Sequence, residues 1–239
     1  MTSFGNHDTY HVLILKADRL CASILQQTAQ HVFAAADIRV TTSLAAATQA
    51  LSVHPVNLLI TGLALFDGDA LELFNAHEGG GRNFRHALVI TGRREHRVLG
   101  ILRNLSINGV FDPMNDDLQH LETAMRQVGC GGRYWSPTVL ARLSDRNTSA
   151  GSLSHLLSPT EQLVLAVIGD GSDDITAAAR LNLRPSTIHS VRRELHRKLG
   201  VQHKGELVRV AVQHGYVRFT ADGVQRPGFS NLLAACGRR

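Results

Sequence analysis

The sequence predicts two domains: a doubly wound α/β domain with a parallel sheet, followed by a smaller domain made only of helices. Three observations lead to this prediction. Residues 10–130 alternate between short apolar runs and segments whose apolar residues recur at helical spacing. A polar stretch of small residues, SDRNTSAGS, then interrupts this pattern. After Leu157 only helical patterns follow, up to residue 217, and 239 residues are enough for two separate cores.

The first domain contains five segments with the composition of buried strands. These segments are Tyr10–Leu15, Asp37–Thr41, Leu58–Thr61, Ala87–Thr91 and Gly109–Phe111. Amphipathic helical patterns lie between them. Continuous apolar strands that alternate with helices are typical of a parallel sheet covered on both faces. Five such units within about 120 residues predict a flavodoxin-like fold.

The boundaries follow from changes in composition along the chain. We place the α/β domain at residues 1–130, a short helix from Pro137 and a linker at 131–156, and the helical domain at 157–217. Residues 218–239 contain several Gly and Pro residues around a short apolar patch. We expect this last segment to be a loosely ordered basic tail.

Composition excludes several classes of protein. The apolar content of 44% is that of an ordinary globular protein, and no apolar run approaches the roughly 18 residues that span a membrane. The run Val12–Leu15 is too short for a secretory signal. The three cysteines are widely spaced and never form C-x-x-C, which indicates free thiols rather than a disulfide or zinc framework. We therefore expect a cytoplasmic protein without a membrane partner.

Positive charge is concentrated towards the carboxy terminus. The net charge is +5 overall, but residues 1–156 sum to zero, residues 157–217 to +2 and residues 218–239 to +3. The segment Arg184–Lys204 alone has six cations and one acid, Glu194. A basic stripe in an otherwise balanced chain indicates a polyanionic partner.

Helix start and stop signals divide the second domain. Ser158 and Glu161 form a capping-box pattern with Pro159 at the first helical position. Asp173 is the cap expected for a second helix, and Pro185 and Gly200 bound a third. Two helices joined by a short turn, with the second basic on its outer face, predict a helix-turn-helix.

The third helix has an apolar and a basic face. Its apolar residues recur at helical spacing: Ile188, Val191, Leu195 and Leu199. This leaves six polar residues on the outside: His189, Ser190, Arg192, Arg193, His196 and Arg197. An α-helix fits the major groove of DNA, where arginine can donate two hydrogen bonds to guanine. The helix start can also hold phosphate through its free N–H groups.

This segment resembles the LuxR-type helix-turn-helix of NarL/FixJ response regulators. The resemblance covers L-S-P-x-E at 157–161, P-x-T-I at 185–188, R-K-L-G-V at 197–201, G-E-L-V at 205–208 and H-G at 214–215. It implies nine DNA-binding residues: His189, Ser190 and Arg193 in the groove, Ser186, Thr187, Arg197 and Lys198 on phosphates, and also Arg192 and Lys204. It further implies that the helix Lys204–His214 pairs two DNA-bound subunits. Arg184, Val191 and Ile175 depart from the family pattern and leave the DNA sequence open.

The first domain resembles the receiver (CheY-like) of the same family, but its phosphorylation site is degenerate. The receiver reaction needs two acids that hold Mg²⁺, an acceptor Asp, a Thr or Ser, and a Lys. By position the acid pair falls on Lys16 and Ala17, and the acceptor falls on Gly62, so that only Thr91 remains. Between Arg103 and Arg126 there is no Lys or Arg. The resemblance therefore implies a pseudo-receiver without a metal site or cofactor.

The neighbouring polar residues have structural explanations. We expect Asp18 to cap the first helix, and Asp67 and Asp69 to fix a turn and cap a helix. Lys16 is either a surface charge or fills the vacated acidic site, and the sequence leaves both alternatives open.

Together these features predict a transcriptional regulator rather than an enzyme, since no nucleophile–base pair or phosphate loop is present. It would bind double-stranded DNA as a homodimer, independently of aspartate phosphorylation. The first domain would serve dimerisation, partner docking or ligand sensing. The alternative is an interaction protein that forms a heterodimer with a complete response regulator and modulates its DNA binding.

Overall fold

The structure, a computed structural model, describes residues 9–74, 83–144, 153–221 and 223–237. The chain forms two compact units. The first comprises residues 1–92 and 106–139, and the second comprises residues 93–105 and 140–239. The predicted linker residues 145–152 lie outside the described residues, so the domain boundaries stay a prediction.

The first unit is built on six parallel strands, with a two-residue pair beside them. The strands of this unit are β1 His11–Leu15, β2 Asp37–Thr41, β3 Val56–Gly62, β4 Ala64–Leu65, β5 Gly68–Asp69, β6 Phe84–Ile90, β7 Gly109–Phe111 and β8 Tyr134–Trp135. The main sheet has the order β2-β1-β3-β6-β7-β8, and β4 pairs with β5. All five predicted strands are present, and β8 is a sixth that the sequence analysis missed because it is only two residues long.

Eleven helices occur in the described residues. They are α1 Arg19–Val32, α2 Leu44–Val53, α3 His96–Asn104, α4 Leu118–Gly129, α5 Pro137–Ser144, α6 Leu153–Leu156, α7 Pro159–Ile168, α8 Asp174–Leu181, α9 Pro185–Leu199, α10 Lys204–Gln213 and α11 Phe229–Gly237. A short 3₁₀ helix spans Ala70–Phe74. No helix within the described ranges has both the length and the apolar character needed to cross a membrane.

The core of the first unit lies on both faces of the sheet, because side chains alternate between the faces along each strand. Successive side chains of a strand point to opposite faces of the sheet. One face of β1, β3 and β6 packs against α1 and α4 in a buried cluster that includes Ile14, Ile60, Leu25 and Met125. Leu13 and Leu59 come directly before Ile14 and Ile60 and therefore point to the opposite face of the sheet, and they are also fully buried. Apolar strands buried on both faces are what the predicted doubly wound fold requires.

The caps expected in the first unit are present. The Asp18 carboxylate accepts a hydrogen bond of 2.7 Å from Cys21 N and caps α1. Asp67 accepts bonds of 2.8 and 2.9 Å from the N–H groups of Leu44 and Ala45, at the start of α2. Asp69 accepts a bond of 2.9 Å from Leu71 N. These contacts agree with structural roles for the three acids.

The second unit has one continuous apolar core. The faces predicted from helical spacing are buried: Val164, Leu165 and Ile168 of α7, Ala177 and Ala178 of α8, and Ile188 and Leu195 of α9. Helix α3 also belongs to this unit. Its Arg97 donates hydrogen bonds of 3.0 and 2.8 Å to the carbonyls of Gly215 and Pro227, and its guanidinium lies 4.5 Å from the ring centre of Tyr216.

Residues 218–237 are not the loosely ordered tail that we predicted. Strand β9 (Arg218–Thr220) pairs antiparallel with β10 (Gly223–Gln225), and α11 follows. Leu232 of α11 is buried in the core of the second unit. The prediction was wrong because these elements are short and are held by partners distant in the sequence, which local composition does not reveal. We call residues 218–237 the carboxy-terminal extension.

Candidate nucleic-acid interface

Helices α8 and α9 form a helix-turn-helix with a three-residue turn, Asn182–Arg184. The Asp173 carboxylate caps α8 by accepting a hydrogen bond of 2.7 Å from Thr176 N. Asn182 ends α8 in the left-handed conformation, with φ of 52°, which Asn tolerates better than most residues. The next N–H group, of Leu183, donates to the carbonyl of Ala178. This turn redirects the chain so that Pro185 can start α9 at once.

Helix α9 presents the polar face that the sequence predicted. Its first turn begins with Pro185, and Gly200 ends it with φ of 64°, a left-handed conformation that suits glycine. Ile188 and Leu195 have no exposed surface, which fixes the rotation of the helix about its axis. Eight of the nine predicted DNA-binding residues lie on this helix, and six of these are exposed to solvent: Ser186, Thr187, His189, Ser190, Arg193 and Arg197.

Arg193 is the most available cation on this face. In the described part of the chain its side chain makes no hydrogen bond or ion pair, and the residue is exposed. His189 lies one turn earlier, with its Nδ1 3.3 Å from the Asp174 carboxylate and 72% of its side chain exposed. Arg197 pairs with Glu194 at 2.8 Å but remains 69% exposed. Exposed pairs of this kind are weak and can be exchanged for a phosphate partner.

Arg192 has a different environment from the one we expected. Its Nε donates to Asp174 Oδ1 at 2.7 Å and its Nη2 donates to the Ser172 carbonyl at 3.1 Å. Only 15% of the side chain is exposed. Asp174 starts α8 and Ser172 lies in the loop before it, so Arg192 ties the middle of α9 to the start of α8. Arg192 is better placed to orient α9 than to contact DNA.

Lys198 is also occupied within the fold. Its Nζ donates to Glu161 Oε2 at 2.7 Å and lies 3.4 Å from the Leu156 carbonyl. Glu161 is the third residue of the capping box of α7 and also accepts from Ser158 N at 2.8 Å. Burial tends to raise the pKa of Glu161, but the hydrogen bonds from Lys198 and Ser158 outweigh it and lower the pKa. This pair fastens the end of α9 to the start of α7.

Lys204, the last of the nine predicted residues, starts α10 and is exposed. The exposed side of α10 also includes Arg209 and Val212. Leu207 and Ala211 of the same helix are buried in the core of the unit. The helix expected to pair two subunits thus presents a mixed basic and apolar surface.

The residues predicted to form a degenerate phosphorylation site lie at the carboxyl edge of the sheet in the first unit. Lys16 follows β1, Gly62 ends β3 and Thr91 follows β6, three adjacent strands. A Cβ atom built on Gly62 would lie 3.0 Å from Lys16 Cδ and 3.3 Å from its Nζ. Thr91 is buried, whereas Ala17 is exposed. Of the two alternatives for Lys16, this geometry favours the one in which it fills the vacated site.

A second long side chain covers the next strand end. A Cβ atom built on Gly92 would lie 2.8 Å from Cγ of Met114. The residue after β7 is Asp112, whose carboxylate accepts bonds from Met114 N, Asn115 Nδ2 and Thr138 Oγ1. This carboxylate thus fixes the loop that carries Met114. Lys16 and Met114 together occupy the space above two glycines.

Comparison with known families identifies the helical domain. Residues 155–211 match the family described as "GerE: Bacterial regulatory proteins, luxR family". These residues contain α7–α9 and most of α10, so the match covers the helix-turn-helix.

A curated relative and several solved structures are similar to larger parts of the chain. The "Transcriptional regulatory protein MctR" of Rhizobium johnstonii is 32% identical over 95 residues, which cover 40% of this chain and 44% of that protein. The chain therefore matches less than half of the length of this relative.

RcsB structures match most of the chain. A structure of the Salmonella typhimurium RcsB response regulator aligns with a TM-score of 0.59 and 20% identity, over 87% of this chain and 99% of that one. One described as a two-component response regulator RcsB–DNA complex aligns with a TM-score of 0.55 and 19% identity, over 86% and 99%. At these identities the likeness establishes the fold, a receiver-like α/β unit and a helical unit.

Proposed function

We propose that this protein is a sequence-specific DNA-binding regulator of transcription that acts without phosphorylation of its receiver-like domain. The observation that carries the proposal is the exposed polar face of α9, which lies within a domain of the luxR family. His189, Ser190 and Arg193 would read base edges in the major groove, because they are exposed and share one face. Ser186, Thr187, Arg197 and Lys204 would hold phosphates.

Two of the predicted contacts need a different role in this proposal. Arg192 and Lys198 use their charges on Asp174 and Glu161. Moving them to DNA would leave these two carboxylates, which are largely excluded from water, without their arginine and lysine partners, which is costly. We therefore assign them to the positioning of α9, with contacts to DNA made by the exposed residues.

Lys16, Gly62 and their neighbours support the proposed independence from phosphorylation. A glycine cannot accept a phosphoryl group, and an ammonium group repels the divalent cation that the reaction requires. The space above Gly62 and Gly92 is taken by Lys16 and Met114. This arrangement also disfavours ligand sensing at the carboxyl edge, so the receiver-like domain would serve dimerisation or partner docking.

A homodimer is the proposed active species. One RcsB structure is described as "two RcsB dimers bound to two parallel DNAs", with a TM-score of 0.55 and 19% identity to this chain. In this chain α10 presents exposed Arg209 and Val212, a surface that a second copy could cover.

A second function, modulation of a complete response regulator by heterodimer formation, is supported by one feature. The cations of α9 other than Arg193 have acidic partners within the chain, which reduces the charge available for DNA. A protein with few direct DNA contacts could depend on a partner that supplies the others.

Selection of bound DNA from a genomic pool with the purified protein distinguishes the two functions. We expect enrichment of one sequence by the protein alone, at moderate salt. Arg193→Ala should weaken that enrichment and relax the preference at one position of the site, while non-specific retention should change little. Enrichment only after a second response regulator is added would favour the heterodimer, and no enrichment in either case would contradict DNA reading by α9.

A further inference from the structure

One arginine of the carboxy-terminal extension makes polar contacts with α7 and with the loop that follows it. Arg226 donates from Nε to the Ala166 carbonyl of α7 at 2.9 Å, and its Nη2 is bonded to the Asp170 carboxylate. Both side chains are nearly buried, with 13% of Arg226 and 10% of Asp170 exposed. The matched luxR family segment ends at residue 211. The extension therefore adds a buried ion pair that lies partly outside the family domain.

The Asp170 carboxylate joins three parts of the unit. Its Oδ1 accepts a hydrogen bond of 2.7 Å from Ser172 N, in the loop that leads to α8. Its Oδ2 also accepts from Arg180, near the end of α8, at 3.3 Å. With Arg226, this one side chain connects the extension, the loop and α8. A change at Arg226 therefore acts first on the loop Asp170–Asp173.

The same loop holds the recognition helix. The Ser172 carbonyl accepts from Arg192 of α9 at 3.1 Å, and Asp174 pairs with Arg192 at 2.7 Å. Asp174 also lies 3.3 Å from Nδ1 of His189, on the exposed face of α9. A continuous set of polar contacts thus runs from Arg226 through Asp170, the loop and Arg192 to the face that would read DNA.

We infer that Arg226 and Asp170 are positioning residues for the recognition helix, so that the carboxy-terminal extension helps to set the DNA selectivity of the protein. This inference rests on the proposed function, in which α9 reads base edges. Hydrogen bonds to bases require donor–acceptor distances near 2.9 Å and weaken steeply with angle. A small displacement of α9 therefore weakens base contacts more than contacts with phosphate, whose attraction is mainly coulombic.

The test compares Arg226→Ala with a matched control, Arg218→Ala, in the full chain. Arg218 belongs to the same extension and is exposed, and its side chain forms no hydrogen bond or ion pair within the described residues. Each protein is titrated with the selected DNA site and with a scrambled site, well below its melting temperature. We expect Arg226→Ala to lower the ratio of the two affinities about tenfold, which corresponds to about 1.4 kcal/mol. Its salt dependence should stay unchanged, and Arg218→Ala should keep the wild-type ratio.

Two further variants separate positioning from loss of folding. Asp170→Asn keeps the shape of the side chain and an acceptor for Ser172, so it can be used if Arg226→Ala does not fold. It should lower the ratio in the same direction. Arg226→Lys retains the charge and should restore part of the selectivity. Equal losses of affinity for both DNAs, with an unchanged ratio, would show a purely structural role and overturn the inference.

Hydrogen exchange gives a readout that does not depend on DNA. In Arg226→Ala the amides of α9 near Arg192 should exchange several-fold faster, while those of α10 should not change. Unchanged exchange in α9 would overturn the inference while leaving the proposed function intact. A wild-type protein without sequence preference would contradict the proposed function itself, whatever the exchange rates of the variant.

Discussion

At the scale of the residue, the two arginines in the middle of α9 show how position on a helix decides a role. Arg192 and Arg193 are adjacent, yet Arg192 is largely buried on Asp174 while Arg193 is exposed. A turn of 3.6 residues places neighbours about 100° apart, so one faces α8 and the other faces solvent. Arg192 comes four residues after Ile188 and three before Leu195, so helical spacing places it at the edge of the apolar stripe, whereas Arg193 lies on the opposite side. The acid that binds Arg192 could not be predicted from this spacing.

The first prediction concerns Arg193. If its guanidinium reaches a base edge, Arg193→Ala should cost about 1–3 kcal/mol in binding to the specific site and relax the preference at one position. Its effect on folding should be small, because the side chain is exposed. DNA titration and thermal unfolding measure the two effects. Unaltered binding of Arg193→Ala to the specific site would show that Arg193 does not contact the DNA.

The second prediction concerns Gly62. Gly62→Asp should not become phosphorylated by acetyl phosphate, because Lys16 occupies the space that the metal and phosphoryl group would need. The new Cβ would be about 3 Å from the Lys16 side chain, which must shift slightly, and the new carboxylate would then lie beside an ammonium group. Intact-mass measurement with and without Mg²⁺ checks this expectation. Gly62→Asp combined with Lys16→Asp is the informative comparison, and phosphorylation of the single variant would contradict our account of Lys16.

At the scale of the element, α9 is fixed at its middle by Asp174 and at its end by Glu161. Both carboxylates lie at helix starts. Glu161 completes the capping box of α7, and Asp174 follows Asp173, which caps α8. A recognition helix fastened at two points can present a defined face. Rigid placement matters because a reading helix must align several side chains with base edges at once.

The third prediction compares Lys198 with its neighbour Arg197. Lys198→Ala should lower the free energy of unfolding of the helical unit by about 1–3 kcal/mol, since it leaves the largely buried Glu161 carboxylate without its cation. Arg197→Ala should cost less than about 1 kcal/mol, because its pair with Glu194 is exposed. In DNA titrations, Arg197→Ala should reduce the salt slope by about one unit and Lys198→Ala should not. A smaller salt slope for Lys198→Ala than for Arg197→Ala would show that Lys198 contacts a phosphate.

The fourth prediction is the pH dependence of this unit. The folded-state pKa values of Glu161 and Asp170 are lowered from the ordinary values of 4.5 and 3.8, with hydrogen bonds and cations outweighing the effect of burial. Groups with depressed pKa values stabilise the fold at pH above their unfolded values, and this contribution is lost as the pH falls through their folded values. Chemical unfolding should therefore show a decline in stability below about pH 4.5. Glu161→Gln should make that decline in stability less steep. A pH profile of stability identical to that of the wild type would contradict the contribution assigned to Glu161.

The same elements mark how far the sequence predicts the fold. Strands such as Asp37–Thr41 and Gly109–Phe111 agree to the residue, because apolar composition and flanking turns determine them locally. Tyr134–Trp135 was missed, since two residues have no periodicity. The extension was also missed, because Arg226 and Asp170 are 56 residues apart and their pairing is a tertiary event. In the candidate interface the outward face followed from helical spacing, but the acids that bind Arg192 and Lys198 did not.

At the scale of the whole molecule, the chain joins an α/β unit with a receiver-like fold to a helical unit that matches the luxR family over residues 155–211 and exposes the polar face of α9. Phosphorylation normally controls such a protein by stabilising one arrangement of a bistable element. With Gly62 and Lys16 at the site, that input is absent from the proposed mechanism. Control would then depend on the amount of protein or on a partner that docks on the receiver-like unit.

The last prediction joins assembly to DNA reading. A symmetric dimer of helix-turn-helix domains places its two reading helices about one turn of DNA apart, so the bound site should be an inverted repeat with half-sites about 10 base pairs apart.

Exposed Val212 of α10 is a candidate contact between the copies. Val212→Asp should weaken the dimer on DNA, because two carboxylates would meet across the two-fold axis. Gln213→Asp, at the neighbouring exposed position, is the matched control for added charge. Footprinting should show both half-sites protected by wild type and by Gln213→Asp, even when acetyl phosphate is absent. Protection of a single half-site by saturating wild-type protein would exclude the symmetric dimer, and protection that appears only after acetyl phosphate is added would exclude phosphorylation-independent action.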